Sequence, residues 1–172
     1  MNKVLGIVMG LSLAAALPAA AEPGNLLGVF GNWTAYSSGT GSSLTCYALS
    51  KPRASRPNTA KRSAVYLMVS DWPSRKVKGE AQIVYGYQGS EKGTAALGVG
   101  ADKFTFFIRN SGKEGSAWLQ QLGDNARLIT AMQEGVSAVA GGVSMRGTKT
   151  SDTYSLSGFK DALEKVHAVC QM

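Results

Sequence analysis

The residues able to do chemistry in this 172-residue chain are few: one histidine, His167, two cysteines, Cys46 and Cys170, and a crowd of cations between positions 51 and 78. Ser144 with His167 and an aspartate has the composition of a nucleophilic triad, in which imidazole takes the proton of a serine hydroxyl. Around Ser144 the chain reads Gly142-Val-Ser-Met-Arg-Gly147, a G-x-S-x-x-G one residue too long for the strained elbow of an α/β hydrolase. A periplasmic hydrolase built on Ser144 and His167 therefore stands as an alternative that no spacing demands. Cys170 follows His167 by three residues, the spacing of a nucleophile–base or metal-binding pair on one helical face, but the chain has too few further ligands for a zinc site. The chain has no glycine-rich phosphate cradle, and its acids are too scattered to suggest a two-carboxylate glycosidase. Neither catalysis, metal nor cofactor is expected.

The first 21 residues change how the cysteines are read. Lys3 gives a positive start, Val4 to Leu17 is apolar, and Ala19-Ala20-Ala21 supplies the small residues of a cleavage site. Residues 1–21 are read as a secretory signal peptide and residues 22–172 as a single β domain, periplasmic or secreted. The apolar run is too short to cross a bilayer comfortably, and nothing later approaches the ~20 residues of a spanning helix. Glu22 follows the cleavage site, so a lipid anchor on cysteine is not expected. In an oxidising compartment two thiols of one domain pair, and a Cys46–Cys170 disulfide is expected.

The chain carries 18 basic and 11 acidic residues. Lys51, Arg53, Arg56, Lys61, Arg62, Arg75, Lys76 and Lys78 face the single acid Asp71 between positions 51 and 78, so nearly all the excess positive charge lies there. Such a field attracts anionic partners: lipopolysaccharide, acidic lipid, glycan, or an acidic envelope protein. The competing reading is a set of solvated loop residues that keep the domain soluble. Export and the absence of a binding motif argue against nucleic acid.

Positioning these residues requires many short strands. Charged residues make up 17% of the chain and there are 21 glycines, a composition of strands and tight turns rather than of a helical bundle. Glu22 to Leu27 reads as a flexible lead-in. Strands are expected at 29–36, 43–50, 64–72, 80–87, 95–99, 103–109, 116–120, 136–145 and 153–156. One helix is expected over 124–134, stopped by Gly135. Phe159, Ala162, Leu163, Val166, Val169 and Cys170 then mark the apolar stripe of a closing helix with Ser157 as its N-cap. Trp33, Trp72 and Trp118 are assigned to the core rather than to sugar stacking. The fold class is mainly β (α+β): an antiparallel β-sandwich or open barrel with one short helix and a C-terminal helix packed on it.

The segment from Ser144 to Gly158 resembles the S-x-RGT-x-T-x-DxYSL-x-G signature of the invasion-associated locus B family. Trp33, the Cys46-Tyr-Ala-Leu-Ser50 run, Gly86-Tyr87, Phe104-Thr-Phe, Ala117-Trp118, Ala131-Met132 with Gly135, and Ala162-Leu163 with Cys170 fit the same pattern in order. The resemblance covers nearly all of the mature chain and departs at 51–62, where the loop is longer and more basic. It implies an exported proteobacterial protein named for a link to host-cell entry, with no established reaction or cofactor. As physical chemistry, the signature residues Arg146, Gly147, Thr148, Asp152, Tyr154 and Gly158 read as architecture first. Arg146 and Asp152 would pair across a hairpin turned by Gly147, Tyr154 would be buried, and Gly158 would bend strand into helix. The alternative is a polar pocket of Arg146, Asp152 and Tyr154. The expected function is a non-enzymatic envelope or surface protein linked to host-cell interaction or virulence. An envelope-maintenance factor is the further alternative.

Overall fold

The computed structural model describes residues 24–58 and 62–172. The expected signal peptide and Lys61 lie outside the described residues. Strands β1 (Asn25–Phe30) and β2 (Trp33–Ser38) form a tight hairpin, not the single strand expected over 29–36, and β1 takes up much of the expected lead-in. The reason is Gly31-Asn32, a two-residue turn whose glycine takes φ +54°. Next come β3 (Thr45–Ser50), β4 (Ala54–Arg56), β5 (Tyr66–Trp72), β6 (Val77–Val84), β7 (Ala95–Val99), β8 (Asp102–Ser111) and β9 (Glu114–Leu119). Helix α1 (Asn125–Glu134) precedes the hairpin of β10 (Ser137–Val143) and β11 (Lys149–Ser155), and helix α2 (Phe159–Cys170) closes the fold.

These strands make one antiparallel sheet in the order β1-β2-β3-β5-β6-β9-β8-β7-β10-β11-β4. The sheet is open, with β1 and β4 as its edges, and does not close into a barrel. Period-two alternation decides its inner face: Phe104, Phe106 and Ile108 of β8 are buried while Lys103, Thr105 and Arg109 point outward. The sheet curls until its two ends approach. The Trp33 indole N–H donates to the Ser155 carbonyl at 3.0 Å, and the Asn32 amide donates to the Ser157 carbonyl at 3.0 Å.

Helix α2 fills the concavity over β1, β2, β3 and β5, with Phe159, Ala162, Leu163, Val166 and Cys170 inward. Phe159 packs against Trp33 with ring centroids 4.7 Å apart. The N-cap is Gly158 rather than Ser157: it takes φ +86°, and a Cβ there would collide with the Phe30 carbonyl. Helix α1 stops at Gly135 as expected, the Gly135 amide donating to the Ala131 carbonyl at 2.8 Å.

The Cys46–Cys170 disulfide is formed, with Cα atoms 5.9 Å apart across 124 positions. Beside it, His167 Nδ1 lies 2.6 Å from Asp71 Oδ2, and the Gly79 amide donates to Asp71 Oδ1 at 2.8 Å. Cys46 and Asp71 are cross-strand partners, and His167 and Cys170 sit one turn apart, so a covalent and a polar tie anchor α2 at the same place. In the chain-entropy model such a bridge stabilises by about 4–5 kcal/mol. Trp33 is core as expected. Trp72 and Trp118, also expected there, are only half-buried, because period two turns both to the sheet's outer face.

Candidate functional site

Inner-facing positions of β11 are Thr150, Asp152 and Tyr154, opposite Gly142, Ala140 and Ala138 of β10. The small residues leave room above β10, and Tyr85 and Tyr87 enter it. A Cβ at Gly142 would meet the Tyr85 ring at 2.8 Å and the Tyr87 hydroxyl at 2.9 Å. The Tyr85 hydroxyl donates to the Gly141 carbonyl at 3.0 Å, and the Tyr87 hydroxyl lies 2.6 Å from that of Thr150. The two rings stack with centroids 5.4 Å apart.

Asp152 is fully buried at the centre of this cluster. Arg62 donates to both its carboxylate oxygens, at 2.9 and 2.6 Å, and the Ser55 hydroxyl donates at 2.6 Å. The Arg62 guanidinium also sits 5.9 Å from the centre of the Tyr87 ring. A forked cation on a carboxylate, stacked on an aromatic face, is the arrangement for which arginine is suited and lysine is not. The hydrogen bonds it donates to Asp152 push the Arg62 pKa above its already high ordinary value, against the opposing effect of burial. Burial also raises the phenols of Tyr85, Tyr87 and Tyr154, so they stay neutral.

Asp152 therefore takes Arg62 and not Arg146. The expected Arg146–Asp152 pair does not form, because Asp152 faces inward from its strand while Arg146 stands exposed at the tip of the β10–β11 turn. That turn is tight: the Thr148 amide donates to the Ser144 hydroxyl at 3.1 Å, the Ser144 amide to the Thr148 carbonyl at 2.9 Å, and Gly147 takes φ +83°. Tyr154 is buried as expected, beneath the site rather than lining it. The polar pocket of Arg146, Asp152 and Tyr154 is thus not assembled as such.

A different pocket is. A cleft of about 530 Å³ opens between the Ser144–Thr148 turn, the segment 86–88 and the β8–β9 turn. Among the described residues its cations are Arg62, Lys113 and Arg146, its hydroxyls come from Tyr87, Ser144, Thr148 and Thr150, and no acidic side chain lines it. Two hydrogen bonds hold the walls: the Met145 amide donates to the Gln88 carbonyl at 2.9 Å, and the Gln88 side-chain amide donates to the Gly112 carbonyl at 2.6 Å. Arg62 forms the fixed floor, neutralised from below by Asp152, while Lys113 and Arg146 are free to meet an incoming anion. Lys113 carries no sequence signal, since it is an isolated lysine brought in by the turn at Gly112.

The other cations divide. Lys51, Arg53 and Arg56 are exposed around the short edge strand β4, which pairs Ala54–Arg56 with Ser151–Thr153 of β11. Charge there guards a sheet edge against strand addition. Arg75 and Lys76 lie in the β5–β6 turn and Lys78 at the start of β6, at the far end of β5 from Arg62. The basic stretch is therefore two patches separated by the length of a seven-residue strand, about 20 Å.

Ser144 and His167 are also apart. Ser144 belongs to the cleft, whereas His167 is committed to Asp71 at the opposite end of β5, because α2 packs on the other half of the sheet. No triad forms from them. Among the described residues no helix is long and apolar enough to cross a membrane.

No family sequence profile and no curated protein sequence matches the chain. Its fold is similar to that of a crystal structure of invasion associated protein B from Bartonella henselae, with a TM-score of 0.58 and 15% sequence identity. That likeness covers 84% of this chain and 98% of the other, and at this identity it is a likeness of fold.

Proposed function

We propose that this protein is an exported, non-enzymatic envelope or surface protein that grips an anionic partner in the cleft between Arg62, Lys113 and Arg146. The observation that carries this reading is a concave site in which Lys113 and Arg146 stand over the neutralised Arg62–Asp152 pair beside four hydroxyls, with no acidic side chain among the described lining residues. In such a site the field is of one sign, and the concavity focuses it on a partner of the other. Phosphate, sulfate or carboxylate groups on lipopolysaccharide, acidic lipid or glycan suit it, as does an acidic patch on an envelope protein. The disulfide fits a protein that lives outside the reducing cytoplasm. The name of the similar structure, invasion associated protein B, supports a role where the envelope meets a host.

The test is retention of the mature protein on phosphatidylglycerol vesicles, which present an anion without a saccharide. Wild type is expected to bind and to elute steeply with salt. Reversing Lys113 and Arg146 to glutamate is expected to abolish retention while leaving the far-ultraviolet circular dichroism spectrum unchanged. Retention equal to wild type in that variant overturns the proposal. An ester, peptide or glycoside activity lost in Ser144→Ala would overturn the non-enzymatic part.

A further inference from the structure

The outer face of the sheet carries a second depression that the cleft does not use. It lies at the opposite end of β6, where β6 and β9 run beneath the β5–β6 turn and the segment before α1. The groove measures about 610 Å³ and is open to solvent, a size that takes a small ligand or a few sugar rings. Trp118 and Phe107, cross-strand partners on β9 and β8, form one wall, with ring centroids 6.1 Å apart and planes 29° from parallel. Arg109 lies 5.3 Å over the Phe107 ring, and both Phe107 and Trp118 line the groove. Leu122 stands at one end with 82% of its surface exposed, although it is among the most apolar residues of the segment. Large apolar groups gathered around a depression and left wet mark a binding surface.

The opposite rim is cationic. Arg75 and Lys78 line it, and the single acid, Glu80, is already engaged: the Trp72 indole N–H donates to it at 3.1 Å and Arg75 approaches it at 4.0 Å. Arg75 is held in place 5.3 Å over the Trp72 ring. Asn125, which lines the groove, donates its side-chain amide to the Lys78 carbonyl at 3.3 Å, which leaves its side-chain carbonyl oxygen as an acceptor. An indole face, an apolar end, one free acceptor and two cations within one open groove form a specific combination. The ligand has to present a flat C–H face, hydroxyl donors and a negative charge together.

We infer that this groove is a binding site for an acidic saccharide, a sugar ring bearing carboxylate or sulfate. The sugar's C–H face stacks on Trp118 and contacts Leu122, a hydroxyl donates to Asn125, and the acid group meets Arg75 and Lys78. An acyl chain is a poorer occupant, since an open groove would leave half of it in water. A neutral sugar would leave both cations unused. The site is separate from the cleft: its Ala81 and the cleft's Gly86 are five residues, about 17 Å of extended chain, apart.

The experiment uses mature, disulfide-bonded protein carrying Lys113→Glu and Arg146→Glu, so the cleft cannot contribute. A heparin-derived hexasaccharide, hexagalacturonate and uncharged maltohexaose are titrated while indole and side-chain amide signals are followed by NMR. At least one acidic oligosaccharide is expected to shift the Trp118 indole and the Asn125 amide, to leave the buried Trp33 indole in place, and to bind at least about tenfold more tightly than maltohexaose. Trp118→Ala and, separately, Lys78→Glu are each expected to weaken it by about tenfold. Lys78 is exposed, so its variant reads the site even if loss of the tryptophan disturbs the sheet. A Trp118 indole unmoved by both acidic probes overturns the assignment, as does affinity unchanged in Lys78→Glu or maltohexaose binding as tightly as the acidic sugars. Because vesicle retention is expected to depend on Lys113 and Arg146, whereas the saccharide titration is read in their absence, failure of the groove leaves the cleft reading standing, and the reverse holds too.

Discussion

Asp71 and Asp152 are both fully buried carboxylates on inner-facing strand positions, each held by a side chain from more than 85 positions away. Asp71 meets His167 at the base of α2, where the neighbouring Cys46–Cys170 bridge already fixes the same helix to the same pair of strands. Asp152 meets Arg62 and Ser55, which arrive from the connection around the short strand β4 with no covalent help. The first aspartate lies under a closed helix; the second lies under an open cleft. A buried charge backed by a disulfide reinforces an anchor that exists without it. A buried charge that fastens a loop alongside only backbone hydrogen bonds sets the shape and the field of whatever opens above it.

The largest effect is expected at the covalent end. Replacing Cys46 and Cys170 together by alanine should lower stability by about 4 kcal/mol, read as a lower denaturation midpoint in urea with the bridge intact as control. A loss under about 1 kcal/mol would show that the polar tie alone anchors α2. Arg62→Ala comes next, at about 3 kcal/mol, because it strands Asp152 in the interior. Arg62→Lys should recover only part of this, since an ammonium cannot fork onto both oxygens. Full recovery by lysine would mean that charge alone matters there.

Alkali should strike the same end of the molecule. Tyr85, Tyr87 and Tyr154 have folded-state pKa values above the ordinary 10.0. As pH rises past that value the unfolded chain releases phenolic protons that the folded one still binds, so stability falls; below it these groups contribute no pH dependence. The tyrosinate absorbance of these three should therefore appear together with unfolding rather than before it, and its appearance in the folded protein would contradict their burial.

His167→Ala should cost about 1–2 kcal/mol in the bridged protein and more once the bridge is gone, a coupling that a double-mutant cycle measures directly. Strict additivity would break the claim that the two ties share one job. Smallest of all, Lys113→Glu with Arg146→Glu should shift stability by no more than about 0.5 kcal/mol, since both are exposed. A larger loss would mean these cations are structural.

Patterns of local chemistry were readable in the chain. The alternation of Phe104, Phe106 and Ile108, the stripe from Phe159 to Cys170 and the stop at Gly135 each follow from which side of an element a residue must face. The bend at Gly158 and the turn at Gly147 were readable for the same reason, since each needs a backbone angle that other residues resist. What failed was pairing at a distance. Arg146 and Asp152 look like partners because six positions separate them, but their side chains leave a strand and a turn tip in different directions. Trp72 and Trp118 look like core by size, yet the register of their strands turns them outward. Lys113 offers no pattern at all.

Composition and local order thus decided which segments become strands, where they turn, and that two cysteines would meet if the chain reached an oxidising compartment, because those outcomes depend on neighbours a few residues apart. Only the curled sheet decided that Arg62 would leave the basic loops to neutralise Asp152, that His167 would answer to Asp71 rather than Ser144, and that the cations would part into a cleft and a groove. Those choices depend on which inward and outward positions come face to face when eleven strands close on one core, and no local pattern encodes that meeting.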